Sequence, residues 1–198
     1  LRAARTLQAA SGTPLGADIH IAKQVPWGAG LGGGSSDAAT VLLGLNRLWG
    51  LGWPREKLAE LGLKLGADVP FFVSGRNAFV EGIGERLRPL ALPPLRFAVI
   101  KPPVALPTPQ IFAHPLLKRD TEAVIVEGSS EDAGALQAPA AWTAGFGKND
   151  LQDAAQAQAP EVAQAARLLE ARFGNSRMSG SGSAVFASVD TSCLRRRS

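Results

Sequence analysis

Five of the seven residues from Gly28 to Gly34 are glycine, and the run passes directly into Ser35-Ser36-Asp37-Ala38-Ala39. Without a Cβ, such a stretch can take positive φ and bring backbone N–H groups close to a ligand. Ala39, Leu42, Leu43 and Leu45 then recur at helical spacing, which predicts a helix from Ser36 with Asp37 in its first turn. A glycine loop that opens a helix presents free N–H groups and the positive end of the dipole, the arrangement that attracts phosphate oxygens. Ser35 and Ser36 add hydroxyls able to reach a phosphate or a Mg²⁺ ion. A flexible linker is the competing reading, but linkers rarely run into so well patterned a helix. No Lys-Ser or Lys-Thr follows the glycines, so the loop is not of the P-loop NTPase type, and no acidic ribose signal supports a dinucleotide fold.

Composition narrows the classes further. The chain has 198 residues, 45% hydrophobic and 19% charged, which suits a folded globular protein. No apolar run approaches the roughly 20 residues of a membrane-spanning helix. The net charge of +4 includes Arg195, Arg196 and Arg197, so the body is nearly neutral. With no tyrosine and no basic helix, neither a nucleic acid nor a membrane surface is expected as a partner. Cys193 is the sole cysteine, and His20 and His114 are far apart. A reducing compartment and a scaffold without a structural metal are therefore expected. Met178 is the only methionine, and Leu1 opens inside a helical pattern without a cap, so the sequence reads as a fragment.

Along the chain, the spacing predicts a helix at Leu1–Ala10, a half-buried strand at Ala17–Ala22, and a helix starting at Pro54 and stopping by Gly66. Short extended pieces are expected at Val69–Val73, Asn77–Glu81 and Arg86–Leu90, and a stronger strand at Phe97–Ile100. Lys101 to Phe112 carries four prolines and reads as a stiff excursion, a hinge or a substrate-lining loop. Glu127 to Gly147 is the least structured part; Asn149 caps a short helix, Pro160–Phe173 is amphipathic, and Ala184–Val189 closes as a strand. Helices and strands mix without strict alternation, which gives an α+β fold.

Pro26 through Ala39 resembles the phosphate-binding motif of the GHMP kinase superfamily, whose members phosphorylate small-molecule hydroxyls. The expanded Gly-Leu-Gly-Gly-Gly-Ser-Ser-Asp-Ala-Ala form is similar to that of the branch acting on 4-diphosphocytidyl-2-C-methyl-D-erythritol, in the non-mevalonate (MEP) route to isoprenoids and terpenoids. Three further segments support the resemblance: Leu65-Gly66-Ala67-Asp68-Val69-Pro70, Pro107-Thr108-Pro109 with Ile111-Phe112, and Met178 to Phe186 with its Gly180-Ser181-Gly182-Ser183 turn.

The resemblance implies a two-domain GHMP kinase fold, with a ribosomal protein S5 domain 2-like part over residues 1–92 and a ferredoxin-like part over residues 93–198, incomplete at both ends. It implies an ATP- and Mg²⁺-dependent transferase in the cytoplasm, or in a plastid, with a small-molecule substrate and no indication of oligomeric state. Asp68 takes the role of catalytic base. The nucleotide falls to Lys23, Pro26, Gly28, Gly30, Leu31, Gly32, Gly33, Gly34, Ser35, Ser36, Gly180 and Gly182, with Ser36 the Mg²⁺ ligand. The cytidyl substrate falls to Thr108, Pro109 and Phe112.

From the residues alone, Asp68 also reads as a turn residue, Phe112 as core, Gly180–Ser183 as a plain hairpin turn and Lys23 as a surface lysine. The family's first motif, which carries a lysine beside the catalytic aspartate, has no counterpart here, so the fragment is not expected to be active alone. The arginine tail reads as a truncation or frame change. Homoserine- or mevalonate-type kinases, and a nucleotide-binding fragment without catalysis, are the competing functional readings.

Overall fold

The computed structural model describes residues 1–121, 136–137 and 147–189. These fall into two units: Leu1–Gln24 with Gly32–Ala91, and Val25–Leu31 with 92–121 and 147–189. Apart from 136–137 and Gly147, the Glu127–Gly147 stretch lies outside the described residues, as does the arginine tail.

In the first unit the heptad-like apolar spacing produces helices α1 (Arg2–Ser11), α2 (Gly33–Leu48) and α3 (Arg55–Leu63), followed by the short α4 (Val69–Ser74). They share one core of Leu7, Leu42, Leu45, Leu58, Leu61, Val69 and Val73, which removes the apolar stripe of each helix from water. Gly62 allows α3 and α4 to approach: a Cβ there would lie 2.8 Å from Val69 Cγ1. An antiparallel hairpin follows, β1 (Ala78–Glu81) on β2 (Arg86–Ala91), with Ala78 opposite Pro89 and Glu81 opposite Arg86.

Three expectations are corrected here. Val69–Val73 is helical rather than extended, because Pro70 occupies the first turn, where its missing N–H costs nothing. Ala17–Ala22 carries no strand: among the described residues no ladder pairs with it, and Ile21 is exposed. Helix α2 begins at Gly33, three residues earlier than the apolar pattern indicates, so Asp37 sits in its second turn.

In the second unit β3 (Phe97–Ile100), β6 (Val185–Ser188) and β5 (Arg177–Met178) form an antiparallel sheet in the order β3-β6-β5. Ile100 and Met178 both face Val185 across the ladders. The proline-rich excursion ends in a five-residue helix, α5 (Thr108–Phe112), entered through Pro107 and anchored by the buried Ile111. Between β3 and β5 in the chain comes the two-residue β4 (Leu136–Gln137), the third strand of the β1-β2-β4 sheet. Helices α6 (Gln152–Gln158) and α7 (Pro160–Phe173) bury Ala154, Ala155, Val162, Ala165 and Leu169 with Met178, Val185 and Ala187 in this unit's core.

Candidate functional site

Gly32 is the N-cap of α2, with φ +66°. The first helical bond runs from the Ser36 N–H to the Gly32 carbonyl at 2.9 Å. The N–H groups of Gly33, Gly34 and Ser35 precede it and have no intrahelical partner. The Ser35 and Ser36 hydroxyls make no hydrogen bond among the described residues, so this end of the helix holds three N–H donors and two hydroxyls for an anion. The loop is fixed from below by Phe72: a Cβ on Gly32 would stand 2.7 Å from Phe72 Cζ.

Phe72 sits one turn after Asp68, on the same helix face, and donates its N–H to the Asp68 carbonyl at 3.4 Å. Asp68 caps the start of α4; it is exposed, and its carboxylate has no partner among the described residues. Gly84 supports this turn, because any Cβ there would lie 2.1 Å from the Ala67 carbonyl oxygen. Lys23 Nζ contacts Asp37 Oδ2 at 2.5 Å.

In the second unit the other half of the loop is stitched to the β5–β6 hairpin turn. The Ser179 hydroxyl donates to the Gly30 carbonyl at 2.8 Å, and the N–H groups of Ser183 and Ala184 donate to the Gly28 and Ala29 carbonyls at 3.2 and 3.0 Å. A Cβ on Gly30 would stand 2.0 Å from the Ser179 carbonyl oxygen, so only glycine permits this approach.

The turn is held in place by Asn149. Its carboxamide donates to the carbonyls of Met178 at 2.9 Å and Gly180 at 2.7 Å, and accepts the Leu151 N–H at 3.0 Å. The adjacent Asp150 is pulled below the usual carboxylate range by a hydrogen bond from the Thr121 hydroxyl and by Lys148. The same turn reaches α5, where Thr108 Oγ1 and Ser181 Oγ are 2.8 Å apart. Phe112 is 52% exposed, so it is not a core residue, and Pro109 lies on the same exposed helix.

The structure thus groups Lys23, Gly32, Gly33, Gly34, Ser35, Ser36 and Asp68 in the first unit. Pro26, Gly28, Gly30, Leu31, Thr108, Pro109, Phe112, Gly180 and Gly182 belong to the second. The structural parts of Phe72, Gly84, Ser179 and Asn149 were not legible locally. Asn149 reads from sequence as a helix cap, but the N-cap of α6 is Leu151: Asn149 Oδ1 accepts the Leu151 N–H in the turn before the helix, and its two donated bonds span 29 and 31 residues. Among the described residues no cluster of three His, Cys, Asp or Glu side chains could cage a metal.

Residues 1–76 match the family model described as the GHMP kinases N terminal domain. Two relatives share the match over almost the whole chain. The 4-diphosphocytidyl-2-C-methyl-D-erythritol kinase of Methylibium petroleiphilum is 62% identical over 191 residues, 96% of this chain and 63% of that protein. Its counterpart in Variovorax paradoxus is 54% identical over 194 residues, 96% of this chain and 66% of that protein.

The chain belongs to the GHMP kinase family. A crystal structure of a 4-(cytidine 5'-diphospho)-2C-methyl-D-erythritol kinase shares the fold, with a TM-score of 0.70 and 39% identity over 93% of this chain and 66% of that one. The α+β architecture is therefore that of a GHMP kinase. The chain spans slightly less than two thirds of the length of these relatives. Among the described residues no helix is long and apolar enough to cross a membrane.

Proposed function

We propose that the full-length protein transfers the γ-phosphoryl group of ATP to the 2-hydroxyl of 4-diphosphocytidyl-2-C-methyl-D-erythritol, a step of the non-mevalonate isoprenoid route in the bacterial cytoplasm. The observation that carries this reading is the 62% identity to a kinase of that name, over a stretch that includes the whole glycine loop and Asp68. In this reading residues 1–92 are the nucleotide-binding part and residues 93–198 the C-terminal part of the kinase.

Phosphoryl transfer needs a held triphosphate, an oriented hydroxyl and a carboxylate to take its proton. The N–H groups at Gly33–Ser35, with Gly28, Gly30, Leu31 and Gly32 shaping the loop, hold the phosphates. The Pro26 ring stiffens the entry to the loop, Lys23 lies ahead of it, and Gly180 and Gly182 form its support. The Asp68 carboxylate, exposed and without a partner among the described residues, accepts the proton of the 2-hydroxyl as its oxygen bonds to the γ-phosphorus and ADP departs. Thr108, Pro109 and Phe112 face the cytidyl substrate, with the exposed ring stacking on the base.

A Mg²⁺ ion fits the oxygen chemistry: among the described residues the Ser36 hydroxyl has no partner and no acidic cage is present, which suits an ion held mainly by phosphates and water. When bound, it neutralises charge on the phosphates. Steady-state kinetics with the cytidyl substrate, homoserine and mevalonate as acceptors tests the reading. A kcat/KM for the cytidyl substrate at least about a hundredfold above the other two is expected, the scale at which a site rejects a mismatched ligand. Preference for homoserine or mevalonate would replace it with another kinase of the family, and ATP binding without turnover of any acceptor would leave a nucleotide-binding scaffold.

A further inference from the structure

One charged group sits where it opposes the proposed ligand. Side chains on a helix lean toward its N-terminus, so a residue covers the surface over the turn before its own Cα. Asp37 is the fifth residue of α2, and its carboxylate therefore belongs over the first turn, Gly33 to Ser36, beside the N–H groups that would bind phosphate. A bare carboxylate there works against the positive end of the dipole and repels an incoming polyphosphate.

Lys23 removes that charge. Its ammonium lies 2.5 Å from Asp37 Oδ2, with both side chains little more than one third exposed, and neither group has another ion-pair partner among the described residues. The pair closes a link between the segment ahead of the glycine loop and the helix behind it.

We propose that Lys23 and Asp37 act as one neutral unit at the start of α2, in which Lys23 favours polyphosphate binding chiefly by cancelling Asp37. This rests on the nucleotide reading above and deepens it by assigning Asp37, which otherwise has no role. It also differs from a direct Lys23–phosphate contact in a way that can be measured. With Lys23 gone and Asp37 retained, one uncompensated negative charge remains within roughly 6–8 Å of the phosphates, which at an effective dielectric constant of about 40 weakens binding about tenfold per phosphate charge felt.

The test is a double-mutant cycle on the full-length protein, reading ADP and ATP dissociation constants by calorimetric titration and folding by circular dichroism. K23M is expected to weaken ADP binding about tenfold, with a larger loss for ATP than for ADP. D37N, which leaves Lys23 uncancelled, is expected to tighten ATP binding, and K23M/D37N to return to within about threefold of the unsubstituted protein. Both the K23M loss and the D37N gain should shrink as salt rises toward 1 M.

A double variant as weak as K23M would overturn the proposal in favour of direct contact between Lys23 and phosphate. A D37N variant as weak as K23M would overturn it in favour of Asp37 as a mere tether. If the unsubstituted protein binds neither nucleotide, the underlying functional reading fails instead, and the cycle makes the two failures distinct.

Discussion

Replacing Gly30 by alanine tests how the glycine loop is held. The residue has φ +70°, a conformation that costs an L residue about 1–2 kcal/mol. The added Cβ would stand 2.0 Å from the Ser179 carbonyl oxygen and 2.9 Å from the Gly182 nitrogen, both backbone atoms that no rotamer change can clear. The loop must therefore separate from the hairpin turn. That strains the Ser179 hydroxyl bond to Gly30 and the N–H bonds of Ser183 and Ala184 to Gly28 and Ala29, each contributing about 0.5–1.5 kcal/mol. Losing two of them along with the backbone strain gives a destabilisation of about 2–5 kcal/mol.

Gly34 is the control, four residues on. It is the second residue of α2, no atom lies within 4 Å of its would-be Cβ, and alanine fits that helical backbone without strain. Urea unfolding of G30A, G34A and the unsubstituted chain, followed by circular dichroism, measures both. The reasoning predicts a lowered midpoint for G30A and an unchanged or raised one for G34A. A G30A midpoint equal to that of the unsubstituted chain, or equal losses in both variants, would show that the loop is not pinned by this backbone contact.

Other substitutions probe the remaining parts. D68A in the full-length protein should lower kcat by about 10²–10⁴ while leaving the nucleotide dissociation constant within about twofold, as expected of a base that touches only the acceptor; unchanged turnover would remove Asp68 from that role. N149A deletes two hydrogen bonds to the glycine turn and one from the Leu151 N–H, and should lower stability by about 2–3 kcal/mol in chemical denaturation, whereas loss of a solvated helix cap alone would give about 1. Trp27 is 80% exposed at the entrance of the loop, so its fluorescence should change on nucleotide addition and W27F should abolish that change; an identical signal in W27F would place the response elsewhere.

The lowered Asp150 carboxyl supplies stability that is fully present above the ordinary aspartate pKa of about 4 and is lost as pH falls below it. D150N should flatten that part of the acid unfolding curve, and a curve superimposable on that of the parent would contradict the contribution.

The parts that were legible in the sequence are those specified by local spacing. Leu58 and Leu61 mark α3, Phe97–Ile100 reads as a strand, and the Gly28–Gly34 run announces both a tight loop and the helix behind it. The misread parts depend on partners distant in sequence. Val69–Val73 is apolar on every side, so neither period stands out, and its helical state follows from packing on α2 and α3. Alternation at Ala17–Ala22 promises a strand, but a strand exists only when another pairs with it.

The site divides in the same way. Glycine needed for a turn is visible as composition, whereas glycine needed because Phe72 or the Ser179 carbonyl lies against it is visible only in three dimensions. Gly84 belongs to the second kind, lying against Ala67, and Asn149 is equally hidden in the sequence because its bonds reach Met178 and Gly180 across the chain.

The most direct measurement is ³¹P and ¹³C NMR of the full-length protein mixed with ATP, Mg²⁺ and 4-diphosphocytidyl-2-C-methyl-D-erythritol. The account predicts one new phosphomonoester resonance, coupled to the methylerythritol carbon that bears the 2-hydroxyl, appearing in step with ADP. ADP without a new monoester, or a monoester on a different hydroxyl, would contradict it.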